Sequence, residues 1–128
     1  MPTRLPRPTN AELEILAVVW DIGPATVRDV YDSISRRRTA QYSTTLKFMQ
    51  IMADKGLLRR DENQRAHIYS ATKPREWTQR QLAGDLLERG FSGSAKALLV
   101  GALSAKKASK AELVELRKFL DEYREQNK

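Results

Sequence analysis

The sequence predicts a mostly α fold with one small antiparallel hairpin, split between residues 1–73 and a helical stretch at 74–128. Three observations predict it. Apolar residues recur at helical spacing three times before Gly56. An extended run, a polar turn and an alternating run follow between Leu57 and Thr72. From Pro74 onward the pattern is helical throughout. A 128-residue chain with 41% hydrophobic residues can bury one core.

Met1 to Pro8 holds three prolines and two arginines and reads as an irregular arm. Thr9-Asn10-Ala11-Glu12 is a capping box, in which the Thr9 hydroxyl accepts from the Glu12 N–H and the Glu12 side chain reaches back. The helix it opens carries Leu13, Leu16, Ala17 and Trp20 on one face and ends near Gly23-Pro24. Thr26 caps a second helix, with Asp29 three residues on and Val27, Val30, Tyr31 and Ile34 as the apolar face. Arg36, Arg37 and Arg38 close it, where cations complement the helix dipole; just before the third helix they are either DNA-phosphate contacts or a solvated cationic helix end.

The third helix runs through QYSTTLKFMQIMADKG, residues 41–56. Thr45, Phe48, Met49 and Met52 make its narrow apolar face, and Gly56 suits a left-handed C′ position. Ser43, Lys47, Gln50 and Asp54 occupy the opposite face. The first three can donate to base-edge acceptors or phosphates when the helix lies in a major groove. Leu57 to Arg60 is extended, Asp61 to Gln64 turns, and Arg65 to Thr72 alternates as a strand. Three helices and a hairpin in this order make a winged helix-turn-helix. The hairpin is the wing, with Arg59, Arg60 and Arg65 near enough to meet phosphates.

Pro74 suits the first turn of a fourth helix with apolar Trp77, Leu82, Leu86 and Leu87. Ser92-Gly93-Ser94 breaks the chain. Ala95, Leu98, Leu99 and Ala102 face one side of a fifth helix, and Ala97, Gly101 and Ala105 give it a face of small residues. Ser109-Lys110-Ala111-Glu112 is a second capping box, opening a last helix with Leu113, Leu116, Leu120 and Tyr123 in a 3-4-3 seam. Short amphipathic helices make a poor core alone, so a homodimer is expected, with packing onto the N-terminal domain as the alternative.

Composition narrows the function. Net charge is +7, with 12 Lys/Arg against 8 Asp/Glu before Pro74 and 11 against 8 from there on, so the surplus is spread rather than held in a tail. It favours polyanionic partners. Without cysteine there is no disulfide, thiolate metal site or cysteine nucleophile. The only histidine, His67, stands in a strand without a carboxylate cluster, and no phosphate loop, G-x-S-x-G or H-E-x-x-H motif occurs. The chain is therefore expected to be no enzyme and to carry no metal or cofactor. The N-terminus lacks an apolar signal core, and no run approaches the roughly 18 apolar residues of a membrane span. The expected location is the cytoplasm, with no membrane partner.

The segments LPRPTNAELEILAVVWDIGPATVRDVYDSI and YSTTLKFMQIMADKGLLRRDENQRAHIYSA, with the tail SKAELVELRKFL, resemble the BlaI/MecI penicillinase-repressor family from Leu5 to Leu120. The resemblance implies a dimeric winged-helix repressor that binds short inverted repeats in double-stranded operator DNA and controls resistance or homeostasis genes. By position it places Ser43, Thr44 and Lys47 on DNA, Gln50 one turn on, and Arg65 in a basic wing. The C-terminal helices would dimerise, here through Leu98, Leu99, Gly101, Ala102, Leu113, Leu116 and Leu120.

Two departures narrow the signal. Members that respond to β-lactams are cut at an Asn-Phe bond, and Gly101-Ala102 occupies that place here, which argues against cleavage by a sensor protease. Copper-responsive relatives carry a cysteine cluster that this chain lacks. The function expected is transcriptional repression. The alternative is a winged-helix docking module that turns its basic face to an acidic protein.

Overall fold

The computed structural model describes residues 6–128. Its elements are α1 (Asn10–Ile22), α2 (Val27–Ser35), α3 (Tyr42–Lys55), β1 (Leu58–Asp61), β2 (Ile68–Ala71), α4 (Arg75–Gly90), α5 (Ala95–Ala105) and α6 (Lys110–Gln126). Most of the expected irregular arm, residues 1–5, lies outside the described residues. Among the described residues no helix is long and apolar enough to cross a membrane. The chain forms two compact units, one ending at Leu82 and one beginning at Ala83.

Local chemistry sets the helix ends of the first unit. Thr9 and Thr26 each form a complete capping box, with Glu12 and Asp29 as the reciprocating acids. Gly56 ends α3 at φ 85°, a left-handed conformation that an L side chain adopts only at a cost. Its N–H donates to the carbonyls of Met52 and Ala53.

Packing then selects which faces are buried. The core joins Ile15, Leu16, Val18 and Val19 of α1 to Val27, Val30 and Ile34 of α2, Met49 and Met52 of α3, and Leu57, Leu58 and Tyr69 of the hairpin. The buried face of α1 is thus rotated from the expected Leu13-Leu16-Ala17-Trp20 line. Leu16 alone of those four is fully buried, and the others are half-exposed. The segment Ile15–Val19 is apolar nearly all round, so periodicity alone selects no single face; contact with α2 and α3 does. In α2, Tyr31 likewise lies half out of the core and meets Tyr42 edge-on, with ring centroids 5.7 Å apart.

The hairpin is shorter than its sequence pattern. β1 and β2 are antiparallel, with Leu58 opposite Ala71 and Asp61 opposite Ile68. Asp61 Oδ1 accepts from the Asn63 N–H at 2.9 Å and Arg60 pairs with Glu62 at 2.8 Å, so the chain turns early. Arg65, Ala66 and His67 therefore belong to the wing tip rather than to the strand. On its other side β2 meets the turn between α1 and α2. Ala25 and Tyr69 exchange both backbone hydrogen bonds, at 2.9 and 2.7 Å, and this bridge fixes the wing against the helices.

The opening turns of α4 belong to the first unit. Trp20 Nε1 donates to the Lys73 carbonyl at 3.1 Å, Arg75 pairs with Asp21 and lies over the Trp20 ring, and Thr78 is buried. In the second unit Ser94 and Ser109 cap α5 and α6 through the N–H groups of Ala97 and Glu112. The expected box at Ser109 is only half formed, because no return bond from the Glu112 side chain is present. Glu112 stands on an exposed helix surface where water serves it equally well.

Candidate nucleic-acid interface

The α3 face expected to be polar is exposed. Ser43, Lys47, Gln50 and Asp54 all lie open, with Thr44 and Ile51 along the flank. Beneath them Thr45 is buried and returns its hydroxyl to the Gln41 carbonyl at 3.1 Å. The same helix thus anchors one side in the core and leaves the other free.

A buried ion pair holds α3 in place. Glu12, only 2% exposed, accepts from Lys55 Nζ at 2.9 and 3.0 Å and from the Thr9 N–H at 2.9 Å. Burial alone would raise the Glu12 carboxyl, but these donors outweigh it and hold it below the ordinary carboxylate range. One acid therefore completes the α1 cap and ties α1 to the far end of α3.

The three arginines after α2 divide. Arg36 and Arg37 are exposed at the turn leading to α3. Arg38, the third residue of the expected phosphate-contact set, pairs with Glu14 of α1, with its Nη2 at 2.6 Å, and donates Nη1 to the Thr39 carbonyl at 2.9 Å, while its side chain stays 53% exposed. The Arg38 hydrogen bonds lower the Glu14 carboxyl below its usual range. On the wing, Arg59 and Arg65 are exposed, whereas Arg60 is engaged with Glu62.

Between α3 and the wing tip runs a groove of about 250 Å³, lined by Arg28, Tyr42, Gln50, Arg65 and His67 among others. It brings together Gln50 and Arg65, which the sequence placed fifteen residues apart. Arg28 and Tyr42 are members that the sequence reading missed. The i, i+3 spacing of Arg28 and Tyr31 was a usable signal for part of this cluster. Nothing local announced Tyr42.

A three-helix unit with a β-hairpin wing, one helix offering an open polar face and a basic wing tip beside it, defines a winged-helix DNA-binding protein. Residues 8–122 match the penicillinase repressor family, and the chain belongs to it. The transcriptional regulator BlaI of Mycobacterium tuberculosis is 32% identical over 99 residues, 76% of this chain and 72% of that protein. The penicillinase repressor of Bacillus licheniformis is 22% identical over 125 residues, 98% of either chain. The solution structure of monomeric Bacillus licheniformis BlaI in complex with the blaP half-operator aligns with a TM-score of 0.50 at 22% identity, over 57% of this chain and 89% of that one, a likeness of fold. Family membership makes this chain a DNA-binding transcriptional repressor and decides against the docking module.

Proposed function

We propose that the repressor binds a short inverted repeat as a homodimer, each protomer placing α3 in a major groove, with the two grooves about 34–36 Å apart. Ser43, Thr44, Lys47 and Gln50 read base edges, while Arg36, Arg37 and Arg65 meet phosphates. Arg38 acts through Glu14, holding the turn that leads into α3. The exposed polar face of α3 on a rigid winged-helix scaffold carries this reading.

Residues 1–73 form the DNA-reading part and residues 74–128 the dimerising part in this proposal. Its support is the apolar surface of the last two helices. No residue of α5 or α6 is buried, and Leu99, Leu113 and Leu120 are 38%, 47% and 53% exposed. Leu98, Leu116 and Gly101 are half-buried and Ala102 is open, so a second copy has these residues to cover. The bond at the family's cleavage position, Gly101-Ala102, lies inside α5 and has neither Asn nor Phe. The proposed mechanism of release accordingly involves no sensor protease at this bond.

The test is capture of sheared genomic DNA by the purified protein at near-physiological salt, followed by sequencing. Enrichment of one short inverted repeat, reduced in K47A and Q50A by about 1–3 kcal/mol of binding, is the expected result. Recovery without sequence preference would remove the operator-reading role of α3.

A further inference from the structure

The cation cluster at the start of α2 is left over once α3 and the wing tip are assigned. Arg28 is exposed and lies 5.9 Å from the Tyr31 ring centroid and 5.7 Å from that of Tyr42. The two rings meet edge-on at an interplanar angle of 73°, so they form a two-walled seat for one guanidinium. Arg28 has no carboxylate partner among the described residues. Its nearest acid in sequence, Asp29, is directed at the Thr26 N–H at 3.0 Å. Arg75, which lies over Trp20, does have such a partner in Asp21.

A guanidinium held near aromatic rings by cation–π attraction keeps N–H donors for hydrogen bonding, and the contact reduces the rotamer freedom that an anion would otherwise have to quench. Arg28 lines the same groove as Gln50 and Arg65. In a helix-turn-helix the helix before the recognition helix crosses the nucleic-acid backbone. We infer that Arg28, seated on Tyr31 and Tyr42, is a preorganised binding site for one backbone phosphate of duplex DNA. Tyr31 and Tyr42 are positioning residues for that contact. The inference rests on the DNA-binding reading above but not on α3 reading a particular sequence.

Phosphate binding and base reading differ in salt dependence and in sequence dependence, which supplies the test. Binding of the full-length protein is measured against salt, both to its enriched operator and to a random duplex, for wild type, R28A, R28K and Y42L. Thermal unfolding of each variant confirms that it folds. The expected R28A protein binds both duplexes more weakly by the same factor. Its log–log salt slope is shallower by about 0.9 per protomer, one phosphate's worth of released counterions. R28K restores the slope but not the full affinity, since lysine keeps the charge without the forked N–H donors of a guanidinium. Y42L keeps the slope and loses affinity on both duplexes. An R28A protein with wild-type affinity and slope overturns the inference, as does one weakened only on the operator with an unchanged slope, which would make Arg28 a base reader. If wild type shows no preferred sequence, the operator reading fails by itself, and the random duplex still decides the phosphate site.

Discussion

The two compact units of this chain are built on opposite terms. Among the described residues, the unit ending at Leu82 buries thirteen hydrophobic side chains in one cluster and a carboxylate, Glu12, paired with a part-exposed Lys55. The unit beginning at Ala83 has well-capped helices, yet in α5 and α6 not one residue is buried. Val114, Phe119 and Tyr123 are 68%, 61% and 56% exposed. Side-chain caps open helices in both units, at Thr9 and Thr26 in the first and at Ser94 and Ser109 in the second. What separates them is whether a helix finds apolar partners within its own chain, and most helical stability comes from such packing rather than from propensity. The first unit thus covers its apolar faces within its own chain, and the second leaves open the apolar surface that the proposed homodimer would cover.

The contrast can be broken most forcefully in the core. Met52 is fully buried between α3 and its neighbours, and Met52→Ala should cost about 2–5 kcal/mol of unfolding free energy in denaturant titration. A loss below about 1 kcal/mol would mean that the first unit is looser than its packing shows. Next comes Leu120→Asp in α6. It should leave the first unit's unfolding unchanged while weakening self-association by about 2 kcal/mol or more in sedimentation, as for a buried interface residue. A variant that sediments like wild type would take the α6 seam out of the interface.

Smaller effects test the polar ties of the first unit. Lys55→Met leaves Glu12 buried without its ammonium and should destabilise by about 1–3 kcal/mol. Acid should act on the same pair. Glu12 and Glu14 are both held below the ordinary carboxylate range, so the folded state binds protons less readily than the unfolded one. Their contribution is complete above the unfolded value of about 4.3 and is lost as pH falls through the lowered folded values. Melting temperature should therefore drop on acidification below that point, and the drop should be shallower in Glu12→Gln. An equally steep drop in that variant would assign the acid sensitivity to other carboxylates.

The legible part of this fold was local. Thr9, Thr26 and Ser109 are the caps, Gly56 takes its left-handed turn, and the α3 period separates Thr45, Met49 and Met52 from Ser43, Lys47 and Gln50. Each of these signals is complete within one or two helical turns, so the residues alone determine it. The element order that makes a winged helix follows from the same signals, while the family rests on the resemblance of the segments themselves and on the match over residues 8–122. Where a helix was apolar on several sides, as α1 is from Ile15 to Val19, the residues allowed more than one buried face, and only the arrival of α2 and α3 chose between them.

Tertiary structure decided the contacts between distant residues, because no spacing rule links side chains that meet only after the chain has folded back. It paired Glu12 with Lys55 and Glu14 with Arg38, which gave each of these cations a carboxylate partner. It bridged Ala25 to Tyr69, cut the wing strand back to Ile68 and set Arg28 against Tyr42. The sequence by itself determined which helices form and which face of α3 stays polar, since propensity, capping and period act over a few residues. Which charges remain free to meet an anion was settled by packing, since a charge is free only when no distant partner is folded against it.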